Sequence, residues 1–186
     1  MTRMVCPWWL GWFLAHPVRR LVHDPAKLLR PFVSEGMTVL EPGPGMGFFT
    51  VELARRVGPS GRVVAVDVQP RMLEGLSRRS GKEGVAGRID ARLPPADGMG
   101  VGDLAGTVEF VLAFAVVHEM PSAERFFSEA SAAMKPGGRL LFAEPRFEVS
   151  EREFADSLRM AGRYRLRVEC RPPVRWSRAA VLVKEP

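Results

Sequence analysis

Nearly continuous apolar runs, spaced by segments of helical pattern, leave this chain few ways to fold. "MTVLE" (37–41), "RVVAVDV" (62–68), "VEFVLAFAVV" (108–117) and "RLLFAE" (139–144) show no strict alternation of apolar and polar residues. Strands that face water on one side alternate, whereas strands buried on both faces do not. "RIDARL" (88–93), by contrast, alternates and reads as a further strand. The intervening segments carry helix signals. "HDPAKLLRPFV" (23–33) has Asp24 as cap and Pro25 at the first helical position. In "FFTVELARRV" (48–57), Phe49, Leu53 and Val57 share one face. "PRMLEGLSRRS" (70–80) opens on proline, and "SAERFFSEASAAMKPGG" (122–138) has Ser122 as cap and the "KPGG" turn as its end. "SEREFADSLRMAG" (150–162) runs from the cap Ser150 to Gly162. Strand and helix in alternation predict an α/β fold, with a mostly parallel sheet covered by helices on both faces. "YRLRVEC" (164–170) and "AAVLVKE" (179–185) have only "RPPVRWSR" between them. That short link predicts a hairpin-like return, with the last strand antiparallel at the edge of the sheet.

The stretch "VLEPGPGMGFFT" (39–50) sits where the first strand ends and the next helix begins. Gly43, Gly45 and Gly47 fall on alternate positions just after the acid Glu41. Glycines are costly to order, so such a cluster marks a backbone that turns sharply or approaches a ligand closely. In open α/β sheets, ligands sit beyond the C-terminal ends of the strands. Free N–H groups at a helix start favour negative charge there. Asp67 stands at the end of the second strand, where an acid can accept hydrogen bonds from both hydroxyls of a ribose. Glycine turn and acid together point to an adenosine-containing cofactor. The dinucleotide fingerprint is G-x-G-x-x-G. Here the spacing is G-x-G-x-G, with Phe48 in place of its third glycine. A carboxylate beside the turn suits a ligand with a positive end better than a pyrophosphate.

These segments resemble a known family. "VLEPGPGMGFFT" and "VVAVDVQPRML" look like the first two motifs of the class I S-adenosylmethionine-dependent methyltransferases, and "MKPGGRLLFAEP" resembles the approach to their fifth strand. The resemblance covers roughly residues 37–145. It implies a Rossmann-like sheet of seven strands and S-adenosyl-L-methionine as cofactor. By the same resemblance, Glu41, Gly43, Gly45 and Gly47 shape the pocket for the methionine part of the cofactor, Asp67 holds the ribose, and Val68 packs near the adenine. Ala113 and Phe114 line the methionine side. Many family members carry an acid-Ala pair after the third strand that contacts the adenine amino group. Here "LPPADG" places Pro95 where the acid is expected, with Ala96 after it and Asp97 as a substitute. Glu109 in "VEFVL" replaces a common Asp, which is a mild change.

Methyl transfer from a sulfonium needs donor and acceptor held in line, and a base only where the acceptor has a proton to lose. "VVHEMP" places His118 and Glu119 just beyond the fourth strand, so they are the catalytic candidates. His118 is the natural base near neutral pH. The structural alternatives are a histidine that caps or bridges backbone groups and a Glu119 that pairs with an arginine. No "NPPY"-type tetrapeptide follows the fourth strand, which weakens methylation of amino nitrogens of bases or glutamine. Two cysteines only, Cys6 and Cys170, argue against a thiol-relay chemistry such as arsenic methylation, and their spacing supplies no metal site.

The net charge is +6, which points toward nucleic acid. However, the basic residues are scattered and only four of the 27 are lysines, so a genome-wide codon bias is a good alternative explanation. The N-terminal "MVCPWWLGWFLAHP" mimics a signal peptide but lacks a small-x-small cleavage site, and it is too short to span a bilayer, which takes about 20 apolar residues. Residues 1–36 are therefore read as an aromatic lid with a short helix, and 37–186 as the methyltransferase domain. The lid reading of Trp8, Trp9 and Trp12 competes with plain core packing. The expectation is a cytoplasmic enzyme acting on a small-molecule acceptor, with no membrane span. RNA methylation, a non-catalytic cofactor-binding module and, more distantly, a nicotinamide oxidoreductase are the alternatives.

Overall fold

Helix starts are set by caps and prolines that the sequence places in advance. A computed structural model describes residues 22–186. The aromatic segment, and the lid expected of it, lie outside the described residues. Asp24 caps α1 (Pro25–Leu29) by accepting from the Ala26 N–H at 3.0 Å. This helix is shorter than its pattern suggests. β1 (Thr38–Pro42), α2 (Thr50–Val57), β2 (Arg62–Val66), α3 (Pro70–Lys82) and β3 (Ile89–Arg92) follow. β4 (Val108–Phe114), α4 (Ala123–Ala133), β5 (Met134–Pro145), α5 (Glu151–Gly162), β6 (Leu166–Cys170) and β7 (Ser177–Lys184) complete the chain. The strands form one seven-stranded sheet in the order β3-β2-β1-β4-β5-β7-β6. The contacts divide the described chain into two units, residues 22–95 and Ala96–Pro186.

In the first unit β1, β2 and β3 pair in parallel, with Glu41 opposite Ala65 and Val64 opposite Asp90. The valines of β2 are buried, as a strand covered on both faces requires. α2 lays Val51, Leu53, Ala54 and Val57 against the strands. The return from α2 to β2 is closed at Gly61. A Cβ there would stand 2.5 Å from the Val57 carbonyl oxygen and 2.7 Å from that of Met37. β2 ends at Val66, so Asp67 and Val68 lie just past the strand.

In the second unit β4 and β5 are parallel, and aromatic rings fill the space between sheet and helices. Phe142 of β5 meets Phe127 of α4 edge-on at 5.5 Å and stacks on Phe154 of α5 at 5.0 Å. Ser122 caps α4 through the Arg125 N–H. Ser150 and Glu153 form a reciprocal capping box on α5. Two sequence expectations change here. The "KPGG" segment does not extend the helix region to residue 138. β5 already begins at Met134, and its register against β4 shifts between Val108 and Phe110. Gly137, at φ +79°, and Gly138 let the strand absorb the extra residues as a bulge. The antiparallel strand is also not at the edge. β7 pairs antiparallel with both β5 and β6, and β6 is the outer strand. Composition explains the exchange. Ala179, Ala180, Val181 and Leu182 are buried, whereas β6 buries only Leu166.

Candidate functional site

The glycine turn of the first unit is built from positive φ angles. Gly43, Gly45 and Gly47 have φ of 67°, 54° and 85°, a region that side chains with a Cβ rarely adopt. The Gly43 N–H donates to the Val66 carbonyl at 2.8 Å, which ties the turn to the end of β2. Gly47 is packed under α3, where a Cβ would come within 2.7 Å of Leu76 Cδ1. Gly75 of α3 makes room for Met46 in the same way, a contact that sequence reading missed. Gly45 differs, because a Cβ on it would meet nothing within 4 Å. The turn therefore closes against the protein at Gly47 and opens at Gly45.

Asp67 joins this turn. Its Oδ2 accepts from the Gly45 N–H at 3.2 Å, and its Oδ1 accepts from the Gln69 N–H at 2.9 Å. Burial pushes the carboxyl above its ordinary pKa, and the two backbone donors pull against that rise. Glu41 is buried at the end of β1, and a buried carboxylate at a strand end is rarely there for packing. Val68 is exposed beside Asp67. Thus the structure brings Gly45 and Asp67 into direct contact, with Gly43 tied to the strand end that precedes Asp67.

The other candidates belong to the second unit. Ala96 and Asp97 are exposed, in a loop that Glu129 anchors by accepting from the Met99 N–H at 2.6 Å. Ala113 and Phe114 are buried at the end of β4. The next residue, Ala115, has φ 55° although it is not glycine, and its N–H donates to the Ala143 carbonyl at 2.7 Å. A strained residue that the surrounding structure holds in place is a common mark of a functional site.

That bend delivers His118 into a group of carboxylates. Its Nδ1 lies 2.5 Å from Glu144 Oε2, and its Nε2 lies 2.6 Å from Glu148 Oε2. The His118 backbone N–H also donates to Glu144 Oε1, and Glu119 stands 4.0 Å from Nε2. The two principal partners differ in access. The Glu144 side chain is 2% exposed, and that of Glu148 is 45% exposed. Burial works against the charge on His118, but the hydrogen bonds and charges of Glu144 and Glu148 outweigh it and raise the pKa above the ordinary histidine value. Sequence reading found His118 and missed both partners. The available signal was an acid closing the β5 segment, "FAEP", with a second acid four residues later.

Comparison with known proteins identifies the family and the fold. A family model described as "Methyltransferase domain" matches residues 33–171. A solved SAM-dependent methyltransferase from Aquifex aeolicus superposes with a TM-score of 0.85 at 27% identity, covering 97% of this chain and all of that one. An arsenite methyltransferase from Halobacterium salinarum is 30% identical over 128 residues, which is 69% of this chain and 31% of that protein. A ubiquinone/menaquinone biosynthesis C-methyltransferase from Hydrogenovibrio crunogenus is 29% identical over 112 residues, 60% of this chain and 43% of its own length. The chain thus spans less than half the length of these two curated relatives.

Proposed function

The chain belongs to the class I S-adenosylmethionine-dependent methyltransferases, and from that membership we propose that it transfers a methyl group to a small, protic acceptor. The observation that carries this reading is the hydrogen bond between the Gly45 N–H and Asp67, beside a turn open at Gly45. The residues fit the cofactor. The open face of the turn at Gly45 admits the methionine part, Glu41 suits its ammonium group, and the remaining lone pairs of Asp67 suit a ribose. S-adenosylmethionine, when bound, supplies a methyl group on an already activated sulfonium. Glu41, Gly43, Gly45, Gly47, Asp67 and Val68 hold and orient it, Ala113 and Phe114 line it, and Ala96 and Asp97 serve the adenine.

His118 is the base in this proposal. Glu144 fixes Nδ1 as the protonated nitrogen and directs Nε2 outward. The exposed Glu148 then gives up its place at Nε2 to the acceptor. The acceptor's proton goes to Nε2 as its methyl bond forms, and Glu119 adds negative charge nearby. The arsenite of the relative is not carried over, because a thiol relay needs more cysteines than this chain has. No described helix is long and apolar enough to cross a membrane. The unpaired, exposed Cys170 fits a reducing compartment and supports the cytoplasmic reading. The test is transfer of labelled methyl from S-adenosylmethionine into a metabolite extract and into total RNA. Label should appear in small molecules and fall sharply in His118→Ala. Label confined to RNA, or transfer undiminished in that variant, would overturn the acceptor class or the base respectively.

A further inference from the structure

Phe147 and Trp176 are large aromatic residues set in water, 79% and 57% exposed. Neither position is a loose loop tip. The Arg146 N–H donates to the Trp176 carbonyl at 2.9 Å, and Arg146 Nε donates to the Ser177 carbonyl at 2.9 Å. Arg178 reaches back to the carbonyls of Arg146 and Val149. The loop after β5 and the loop before β7 are therefore stapled together, with one aromatic on each. Trp176 is held at φ 58°, a conformation a bulky side chain adopts only when its surroundings impose it.

The charge around the pair is mainly positive. Arg175 lies over the indole at 5.0 Å, and Arg146, next to Phe147 in the chain, is exposed. Among the acids of these loops, Glu151 is paired with both Arg171 and Arg178, and Glu148 faces His118. Rigid exposed aromatics rimmed by arginine match the water–lipid interface, where the rings enter the acyl boundary and the guanidinium groups stay among anionic headgroups. We propose that Phe147 and Trp176 form a docking surface for an anionic lipid bilayer. Single-stranded RNA is the poorer match. Arg175 already covers one face of the indole, and a phosphate chain needs a longer track of cations than these loops supply. The proposal does not depend on the role of His118.

The experiment is co-sedimentation of the full chain with vesicles of phosphatidylcholine alone and of phosphatidylcholine mixed with phosphatidylglycerol. The expected result is binding to the anionic vesicles, weakened by salt and weakened at least about tenfold in the double variant Phe147→Ser/Trp176→Ser. Circular dichroism should show the variant folded, because neither side chain is buried. Single variants serve in its place if it is not. Absence of binding to either vesicle, or equal binding by wild type and variant, would overturn the proposal. So would loss of single-stranded RNA binding in the variant with vesicle binding intact.

Discussion

Asp67 is buried yet accepts from two backbone donors. Asp67→Ala should weaken S-adenosylhomocysteine binding by about 1.5–3 kcal/mol, the range for charge-assisted hydrogen bonds. Calorimetric titration measures it, and unchanged affinity would mean that the ribose site lies elsewhere. His118 has a folded pKa above its unfolded value because two carboxylates favour its charged form. The stability this confers is fully present below the unfolded pKa and is lost as pH rises through the folded one. The gap in melting temperature between wild type and Glu144→Gln should therefore be widest in mild acid and narrow toward alkaline pH. As a base, His118 must be neutral, so turnover should rise with pH through the same pKa. In Glu144→Gln that inflection should move to lower pH. An inflection that stays put would remove Glu144 from the mechanism. Asp67 was legible because a motif fixes its distance from the glycines. Glu144 and Glu148 were not, since their meeting with His118 depends on how β4 and β5 align, which no local pattern states.

Elements were read well where a cap or proline marks their start. Ser122, Ser150, Asp24 and Pro70 all open helices as their chemistry predicts. Ser150→Ala removes one half of the capping box and should cost about 1 kcal/mol in denaturant unfolding, with no effect on cofactor affinity. Ends were harder to read. "KPGG" has the residues of a helix stop, but tertiary pairing with β4 draws it into a strand. The glycines also differ in ways the sequence hides. Gly61→Ala pushes a methyl group into two carbonyl oxygens that cannot retreat, and it should destabilise by about 1–3 kcal/mol although Gly61 has no positive φ. Gly45→Ala has open space, so its penalty should be the left-handed backbone alone, about 1–2 kcal/mol, and a larger loss should appear in cofactor binding. Urea titration of the two variants separates clash from strain.

For the whole molecule, ligand and fold are coupled by mass action. S-adenosylhomocysteine at a hundred times its dissociation constant should add about 2.7 kcal/mol and raise the melting temperature by several degrees, whereas NAD should add nothing. Equal shifts from both would contradict the cofactor assigned here. The seven-strand α/β class was readable because continuous apolar runs admit few alternatives, but strand order was not, since "LRVEC" and "AAVLV" are neighbours in sequence whichever lies outside. That order has a consequence for biosynthesis. β7 is inserted between two strands that leave the ribosome before it, and it supplies the hydrogen-bonding partner for a full side of each. Until it emerges, β5 offers a bare apolar edge and β6 has nothing to pair with. The unit from Ala96 onward should therefore mature late and abruptly, with chaperones meeting an unfinished sheet in the interval. Nascent chains arrested before Ser177 should be cut readily by protease within that unit, and chains extended past Lys184 should resist. Early resistance would show that β5 finds another partner while it waits.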